Sequence, residues 1–203
     1  MAMTVPGEQA TAPTQIEQDG PPTVHRFTVA EYEEMAAREI LPPDGRTELI
    51  DGVIYDVSPQ NPPHADTVEL LTGAIYARLH GQVRIRTQAP LRLPPRSMPE
   101  PDLELLRADM PFGRHPTAED VLLAIEVSHS TLRWDRERKV PLYAANRIPA
   151  VWIANVAERV VETHAELSDG AYRKQRTYGA GESVTVQGFD GVSIPVDEIF
   201  PPA

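Results

Sequence analysis

The sequence predicts a mixed α/β domain in which a central β-sheet is flanked by helices. Two continuous apolar runs, VLLAIEV (121–127) and AVWIANV (150–156), are typical of strands buried on both faces in the middle of a sheet. The segment between them, RWDRERKVPLYAANRI (133–148), has helical character. The segments from residue 159 onward alternate like antiparallel strands. Together with the N-terminal elements below, this order favours a mixed sheet with helices on its faces.

A short helix and a β-hairpin are predicted near the N-terminus. Thr28 and Glu31 have the three-residue spacing of a capping box, which indicates the start of a helix. The segment RTELIDGVIYDV (46–57) predicts two strands joined at Asp51-Gly52, because this dipeptide favours a two-residue hairpin turn.

A second helix and two extended segments follow the hairpin. Residues 64–80 predict a helix that ends at Gly81, since apolar side chains recur there at helical spacing. VRIRTQAPLRL (83–93) is predicted to be extended. DLELL (102–106) is predicted to be a short strand after a proline-rich connection.

The chain is predicted to hold one ordered domain, residues 25–203, after a disordered leader, residues 1–24. The leader contains no lysine or arginine and little bulky apolar content, so it offers little to bury. The absence of cysteine excludes disulfides, thiolate catalysis and zinc sites built on sulfur. No apolar run approaches the roughly 20 residues of a membrane span. No export signal is visible, which predicts a cytoplasmic protein without a membrane partner.

The charge balance is acidic, with 19 Lys and Arg against 30 Asp and Glu and a net charge of −11. This balance weighs against a protein devoted to DNA binding, because phosphate contacts are made mainly by Lys and Arg. It does not exclude a nuclease, whose acidic site binds a cation. Local clusters of basic residues are either phosphate contacts or solvated faces: Arg84, Arg86, Arg92 and Arg96, and Arg133, Arg136, Arg138 and Lys139.

Two acidic residues occur where folding alone does not call for them. Glu126 lies near the end of the most apolar strand, and a buried carboxylate there is costly unless it is paired or binds a metal. The alternative is an exposed position at the strand edge. Asp102 begins another strand, and the two acids meet at one end of the sheet if the strands are neighbours. Alternatively, Asp102 is an ordinary residue at a strand start.

A lysine on the following helix completes a candidate site. Lys139 lies four residues after Asp135, which alone also fits an ion pair on a helix surface. Two acids and a lysine are sufficient to hold Mg²⁺, to orient a water molecule and to stabilise the charge that develops on a phosphodiester.

The ordered series of segments resembles the Uma-two family of restriction-endonuclease-like proteins, a branch of the PD-(D/E)XK nuclease superfamily. The segments span roughly residues 25–165 and are TVAEYEEM, ELIDGVIYDVSP with His64 after it, PEPDLELL, AIEVSHST and WDRERKVPLYAANRIPAVWIAN. The resemblance implies a restriction-endonuclease-like core and a catalytic site that cleaves DNA with Mg²⁺ or Mn²⁺.

The resemblance also implies roles for particular residues. Asp102 matches the first acid and Glu126 the second, both as metal ligands. The usual lysine position, two residues after the second acid, is Ser128 here, so Lys139 from the next helix is implied instead. Glu48 matches a further acid that could bind the metal; alternatively it is a strand-surface acid.

Two further residues are candidates for supporting the site without binding the metal: His64 and Asp135. For His64 the alternative is a capping or solvent-exposed position at a helix start.

The resulting hypothesis is a cytoplasmic, metal-dependent DNA endonuclease, with a homodimer as one way to cut both strands. One rival is a degenerate nuclease fold that acts only as a binding or interaction module. A second rival is a sugar hydrolase with paired carboxylates. That rival leaves Lys139 without a purpose.

Overall fold

The computed structural model describes residues 23–42, 46–57 and 59–202, and in these ranges the chain forms ten strands and four α-helices. The helices are α1 (Val29–Ala37), α2 (Pro62–Leu79), α3 (Leu132–Trp134) and α4 (Val140–Ala145). The strands are β1 (Thr47–Ile50), β2 (Val53–Asp56), β3 (Val83–Thr87), β4 (Leu103–Arg107), β5 (Val121–Ser128), β6 (Val151–Asn155), β7 (Val160–Ser168), β8 (Ala171–Tyr178), β9 (Ser183–Thr185) and β10 (Ser193–Pro195).

Six of these strands form one mixed sheet, in the order β3-β4-β5-β6-β7-β8. Strands β5 and β6 pair in parallel and every other neighbouring pair is antiparallel. A parallel pair needs a crossover, and here the helical segment from α3 to α4 supplies it. The predicted mixed α/β class and the buried central position of the VLLAIEV strand are therefore confirmed.

Apolar side chains cover both faces of the sheet. Helix α2 packs on one face through a stripe of apolar residues at helical spacing, against alternate residues of β4 and β5 and against Trp152 of β6. On the other face, α4 contributes Tyr143 and the loop after β3 contributes Leu91 and Leu93. The strand and the helix that carry Glu126 and Lys139 are thus held in a packed core.

The predicted N-terminal helix and hairpin are both present, and they share a small apolar cluster. Glu31 accepts a hydrogen bond from the Thr28 backbone N–H at 2.7 Å, and Thr28 Oγ1 accepts one from the Glu31 N–H at 3.2 Å, which completes the capping box. The two-residue turn between β1 and β2 has φ of 49° at Asp51 and 77° at Gly52. A Cβ at Gly52 would also lie 2.7 Å from the Arg26 Cβ, so this turn requires glycine on both counts.

Some predicted boundaries were wrong. Helix α2 begins at Pro62 rather than at residue 64, because Asn61 caps it through its side chain and proline is well accommodated in the first turn. The extended segment 83–93 pairs as a strand only as far as Thr87; beyond it the chain makes isolated bridges. The predicted leader, residues 1–24, lies outside the described residues except for its last two. In the described ranges, no helix has both the length and the apolarity of a membrane span.

Asp120 fixes the turn that leads into β5, and it provides a test of the fold. Its carboxylate accepts two hydrogen bonds of 2.7 Å from Arg114 and one of 2.8 Å from the Thr117 backbone N–H. The Arg114 contacts, supported by Thr117, hold the pKa of Asp120 at about 2, below its ordinary value of 3.8.

Asp120→Asn is expected to lower the free energy of unfolding at pH 7 by about 1 kcal/mol, after allowance for solvent screening of the partly exposed Arg114. Because the folded pKa is the lower one, this contribution is present above pH 3.8 and is lost as the pH falls towards 2. Urea unfolding at pH 7 and near pH 3 measures the difference between the two proteins. An equal difference at both pH values would contradict this account of Asp120.

Candidate active site

The candidate acids Asp102 and Glu126 lie at the same end of the main sheet. Strands β4 and β5 run antiparallel and pair Leu103 with Ile125, so the start of β4 lies beside the end of β5. Asp102 Oδ2 accepts a hydrogen bond of 2.8 Å from the backbone N–H of Val127. The exposed fraction of Glu126 is only 2%, so its alternative placement at an exposed strand edge is wrong.

Lys139 lies between two carboxylates. Its Nζ donates hydrogen bonds to Glu126 Oε2 at 3.1 Å and to Glu48 Oε1 at 3.0 Å. Glu48 comes from β1 and also accepts a bond of 2.9 Å from the Glu100 backbone N–H. Since all three charged side chains are buried, the strand-surface placement of Glu48 is wrong too. The hairpin, the main sheet and the crossover helix therefore meet at this ammonium group.

A π-helix (Asp135–Lys139) between α3 and α4 presents both of its ends to the interior. Asp135 accepts hydrogen bonds from Ser128 Oγ at 2.6 Å and from Thr131 Oγ1 at 2.7 Å. Asp135 and Lys139 are both buried and each has other partners, so their spacing does not form the surface ion pair considered above. Single π turns occur often at functional sites because they redirect side chains within a helix.

The electrostatics of this cluster keep Lys139 charged. Burial alone lowers the pKa of Lys139, but four surrounding carboxylates, led by Glu126 and Glu48, outweigh burial and raise that pKa above its ordinary value. Burial raises the pKa of the Glu126 carboxyl, with Lys139 opposing the shift. The charged ammonium is therefore favoured, and it can donate hydrogen bonds and supply positive charge at the site.

Tyr143 is a further buried contact of the site and is not among the candidates from the sequence. Its hydroxyl donates a hydrogen bond to Glu126 Oε1. Burial raises the pKa of Tyr143 well above its ordinary value, and the Glu126 charge adds to the shift, so the hydroxyl stays protonated. Its position four residues after Lys139, on the same helical side, is the signal that could have identified it.

His64 approaches the site from the first turn of α2. Its Nε2 lies 3.2 Å from Asp102 Oδ2, and its backbone N–H donates to Asn61 Oδ1 at 3.1 Å. His64 is therefore part of the helix cap, as the alternative proposed, while its ring contacts the candidate acid. Asn61 Nδ2 also lies 3.2 Å from His129 Nδ1, which links the loop after β5 to the same helix start.

A cavity of about 300 Å³ opens over these residues. Its lining includes all six candidate site residues from the sequence: Glu48, His64, Asp102, Glu126, Asp135 and Lys139. The basic clusters are not concentrated here. Apart from Lys139, five arginines of these clusters contact carboxylates or a backbone carbonyl away from the cavity. They are Arg84, Arg86, Arg92, Arg133 and Arg136.

The oxygen ligands at the floor of the cavity are of the kind that a hard divalent cation prefers. Asp102, Glu126 and Glu48 offer carboxylate oxygens, which Mg²⁺ and Mn²⁺ prefer. In the part of the chain that the structure describes, no three His, Asp or Glu side chains stand in a ready-made ligand group, and Lys139 occupies one oxygen of each glutamate.

Comparison with known proteins supports this reading of the architecture. A family described as putative restriction endonucleases, the Uma-two family, matches residues 29–197. The crystal structure of a putative nuclease from Anabaena variabilis matches 86% of this chain and 97% of its own, with a TM-score of 0.67. At 13% identity that likeness concerns the fold alone. No curated protein sequence shows a significant match.

Proposed function

This chain belongs to the Uma-two family, whose members are described as putative restriction endonucleases, and we propose that it hydrolyses phosphodiester bonds in DNA with Mg²⁺ or Mn²⁺. The observation that carries the proposal is the convergence of Asp102, Glu126 and Lys139 at one cavity. Burying such ions costs several kcal/mol each. That cost favours a functional role for a charged amine held between buried acids.

The divalent ion would be held by Asp102 and Glu126, with Glu48 as a third carboxylate, and would supply positive charge to the scissile phosphate and its attacking water. The ammonium of Lys139 donates hydrogen bonds, so it can hold that water and stabilise the negative charge that develops on the phosphate. The water oxygen bonds to phosphorus, one bridging P–O bond breaks, and one water proton is transferred to the departing oxygen, which leaves as a hydroxyl group.

Two neighbours position these groups. The Tyr143 hydroxyl fixes one oxygen of Glu126 and leaves the other towards Lys139. His64 contacts Asp102 Oδ2, and the Val127 N–H binds the same oxygen, which orients the carboxylate.

The Asp102→Ala variant tests the proposal directly. It is expected to lower Mg²⁺-dependent cleavage of plasmid and of single-stranded DNA by at least about a hundredfold, because it removes a metal ligand. An Asp109→Ala variant is a matched control, since Asp109 lies on the exposed turn after β4 and should leave cleavage unchanged. Equal cleavage by wild type and Asp102→Ala would remove Asp102 from the mechanism.

The cytoplasmic location and the homodimer stay predictions from the sequence. A second copy would bring a second site to the opposite strand of a duplex. Gel filtration measures the oligomeric state, and the cleavage products of a nicked plasmid show whether the second strand is cut.

A binding module with a degenerate site is the second candidate function. It is favoured by the contacts of Lys139, which engage both glutamates within the described structure. Such a module would bind DNA but take up no divalent ion at Asp102 and Glu126, which calorimetry distinguishes.

A further inference from the structure

Two aromatic rings, Tyr55 and Trp134, stand at the cavity and have no role in the mechanism above. Both line it. Their ring centroids are 4.8 Å apart with planes inclined by 62°, an edge-to-face arrangement. In an edge-to-face pair, the ring that contributes its edge has neither of its flat faces covered by the other ring. The exposed fraction of Tyr55 is 37%, and Trp134 is half-buried, so the pair lies between the interior and the solvent.

The strand register and the helix place these rings beside the candidate catalytic groups. Tyr55 pairs directly with Glu48 across the β1–β2 hairpin, and residues opposite each other in an antiparallel pair project on the same side. Trp134 immediately precedes Asp135 at the start of the π-helix that carries Lys139. A nucleotide whose phosphate reached the acids would therefore have its sugar and base near these rings.

The cavity lining carries too little positive charge to attract a phosphate backbone strongly. Its lining carries two cationic side chains, Arg46 and Lys139, against six carboxylates: Glu48, Asp56, Glu100, Asp102, Glu126 and Asp135. Both cations already contact acids, Arg46 with Glu100 at 3.0 Å and Lys139 with its two glutamates. The phosphate attraction that usually dominates DNA affinity is therefore weak here. Binding energy must come from the metal and from contacts that need no charge.

We infer that Tyr55 and Trp134 form a stacking platform for the base of an unpaired nucleotide, so that the site takes single-stranded DNA in preference to duplex. This inference rests on the proposed nuclease function. Base stacking on aromatic rings is independent of charge and largely independent of sequence. In a duplex the base faces are covered by their neighbours, so only an unpaired base can use the platform.

Fluorescence anisotropy with labelled oligo(dT) of about 12 nucleotides, and with a blunt duplex of similar length, tests the inference. Binding is measured in EDTA and in Ca²⁺, alongside cleavage in Mg²⁺. Wild type is expected to bind the single strand about tenfold more tightly than the duplex. Trp134→Ala is expected to lose about tenfold in affinity for the single strand and little for the duplex.

Two control variants separate stacking from general damage. Trp134→Phe keeps an aromatic face and should retain most of the single-strand preference. Phe112→Ala removes a ring that is 86% exposed and does not line the cavity, so it should bind both DNAs as wild type does. Loss of affinity in Trp134→Ala with recovery in Trp134→Phe supports the platform even if the alanine variant is less stable.

Equal affinity of wild type for single strand and duplex under both conditions would overturn the inference, as would unchanged single-strand binding by Trp134→Ala. Either result could occur while Mg²⁺-dependent cleavage persists, which would leave the nuclease proposal standing. Preferential single-strand binding without cleavage in Mg²⁺ or Mn²⁺ would instead contradict the nuclease proposal and support the platform.

Discussion

Lys139→Met is expected to lower DNA cleavage by on the order of a thousandfold, because it removes a preorganised donor for the developing phosphate charge. The same change leaves Glu48 and Glu126 buried without their cation. Removing one partner of a buried ion pair costs about 3–5 kcal/mol in stability. Cleavage in Mg²⁺ and urea unfolding at pH 7 measure the two effects separately.

The stability loss in Lys139→Met has a defined pH dependence. Without the ammonium, burial raises the folded pKa of the Glu126 carboxyl above the unfolded value near 4.5. The contribution of this carboxyl to the stability of the variant should therefore be fully present below that value and be lost as the pH rises through the raised folded pKa. Lys174→Met, a change at an exposed ion pair with Glu166, is the matched control and should alter neither activity nor this profile. A variant that cuts DNA at the wild-type rate would contradict the role of Lys139.

Glu126→Gln is expected to lower cleavage about a hundredfold to a thousandfold while leaving the fold intact. Glutamine keeps the shape of the side chain and an oxygen that accepts from Tyr143 or Lys139, but it carries no charge for a divalent ion. Loss of a metal ligand removes several kcal/mol of transition-state stabilisation. Initial cleavage rates in Mg²⁺ and in Mn²⁺ measure the effect.

Glu162→Gln is the control for Glu126→Gln. Glu162 is a buried carboxylate on β7 that accepts a bond of 2.9 Å from Arg136, and it does not line the cavity. This variant should lose stability, because Arg136 loses its charged partner, yet retain cleavage under conditions where it is folded. Equal loss of cleavage in both glutamine variants would mean that stability, and not metal binding, explains the effect of Glu126→Gln.

Much of the architecture follows from patterns that extend over several residues. The apolar run ending at Glu126 could be placed in the middle of a sheet because only a strand covered on both faces tolerates such a run. Asp51-Gly52 fixed the hairpin through its backbone preference. Strands β4 and β5 are antiparallel neighbours, so the first residue of one lies beside the last residues of the other. This arrangement brings Asp102 close to Glu126.

Features that depend on packing between distant segments were beyond the sequence. The π-helix has no distinct periodicity in five residues, so the shared inward direction of Asp135 and Lys139 could not be read from their spacing. The hydrogen bond between Tyr143 and Glu126 depends on where helix α4 packs along strand β5, and the sequence of neither element specifies that position. The meeting of Tyr55 with Trp134 joins the hairpin to the crossover helix, and no local pattern encodes that contact.

The single-strand platform bears on the predicted homodimer. A homodimer was expected because cutting a duplex requires two sites. A site that takes one unpaired strand needs no second copy. A monomer that prefers single-stranded DNA would agree with the stacking platform. A dimer that cuts both strands of a duplex would agree with the homodimer predicted from the sequence.

Titration calorimetry of Mn²⁺ and Mg²⁺ into wild type and Glu126→Gln tests most directly whether the buried acids bind a divalent ion. Wild type is expected to take up the ion, and Glu126→Gln to bind it at least about tenfold more weakly, because a charged oxygen ligand is lost. Equal uptake by the two proteins, or none by wild type, would contradict metal-dependent hydrolysis at this cavity and leave the binding module as the function to pursue.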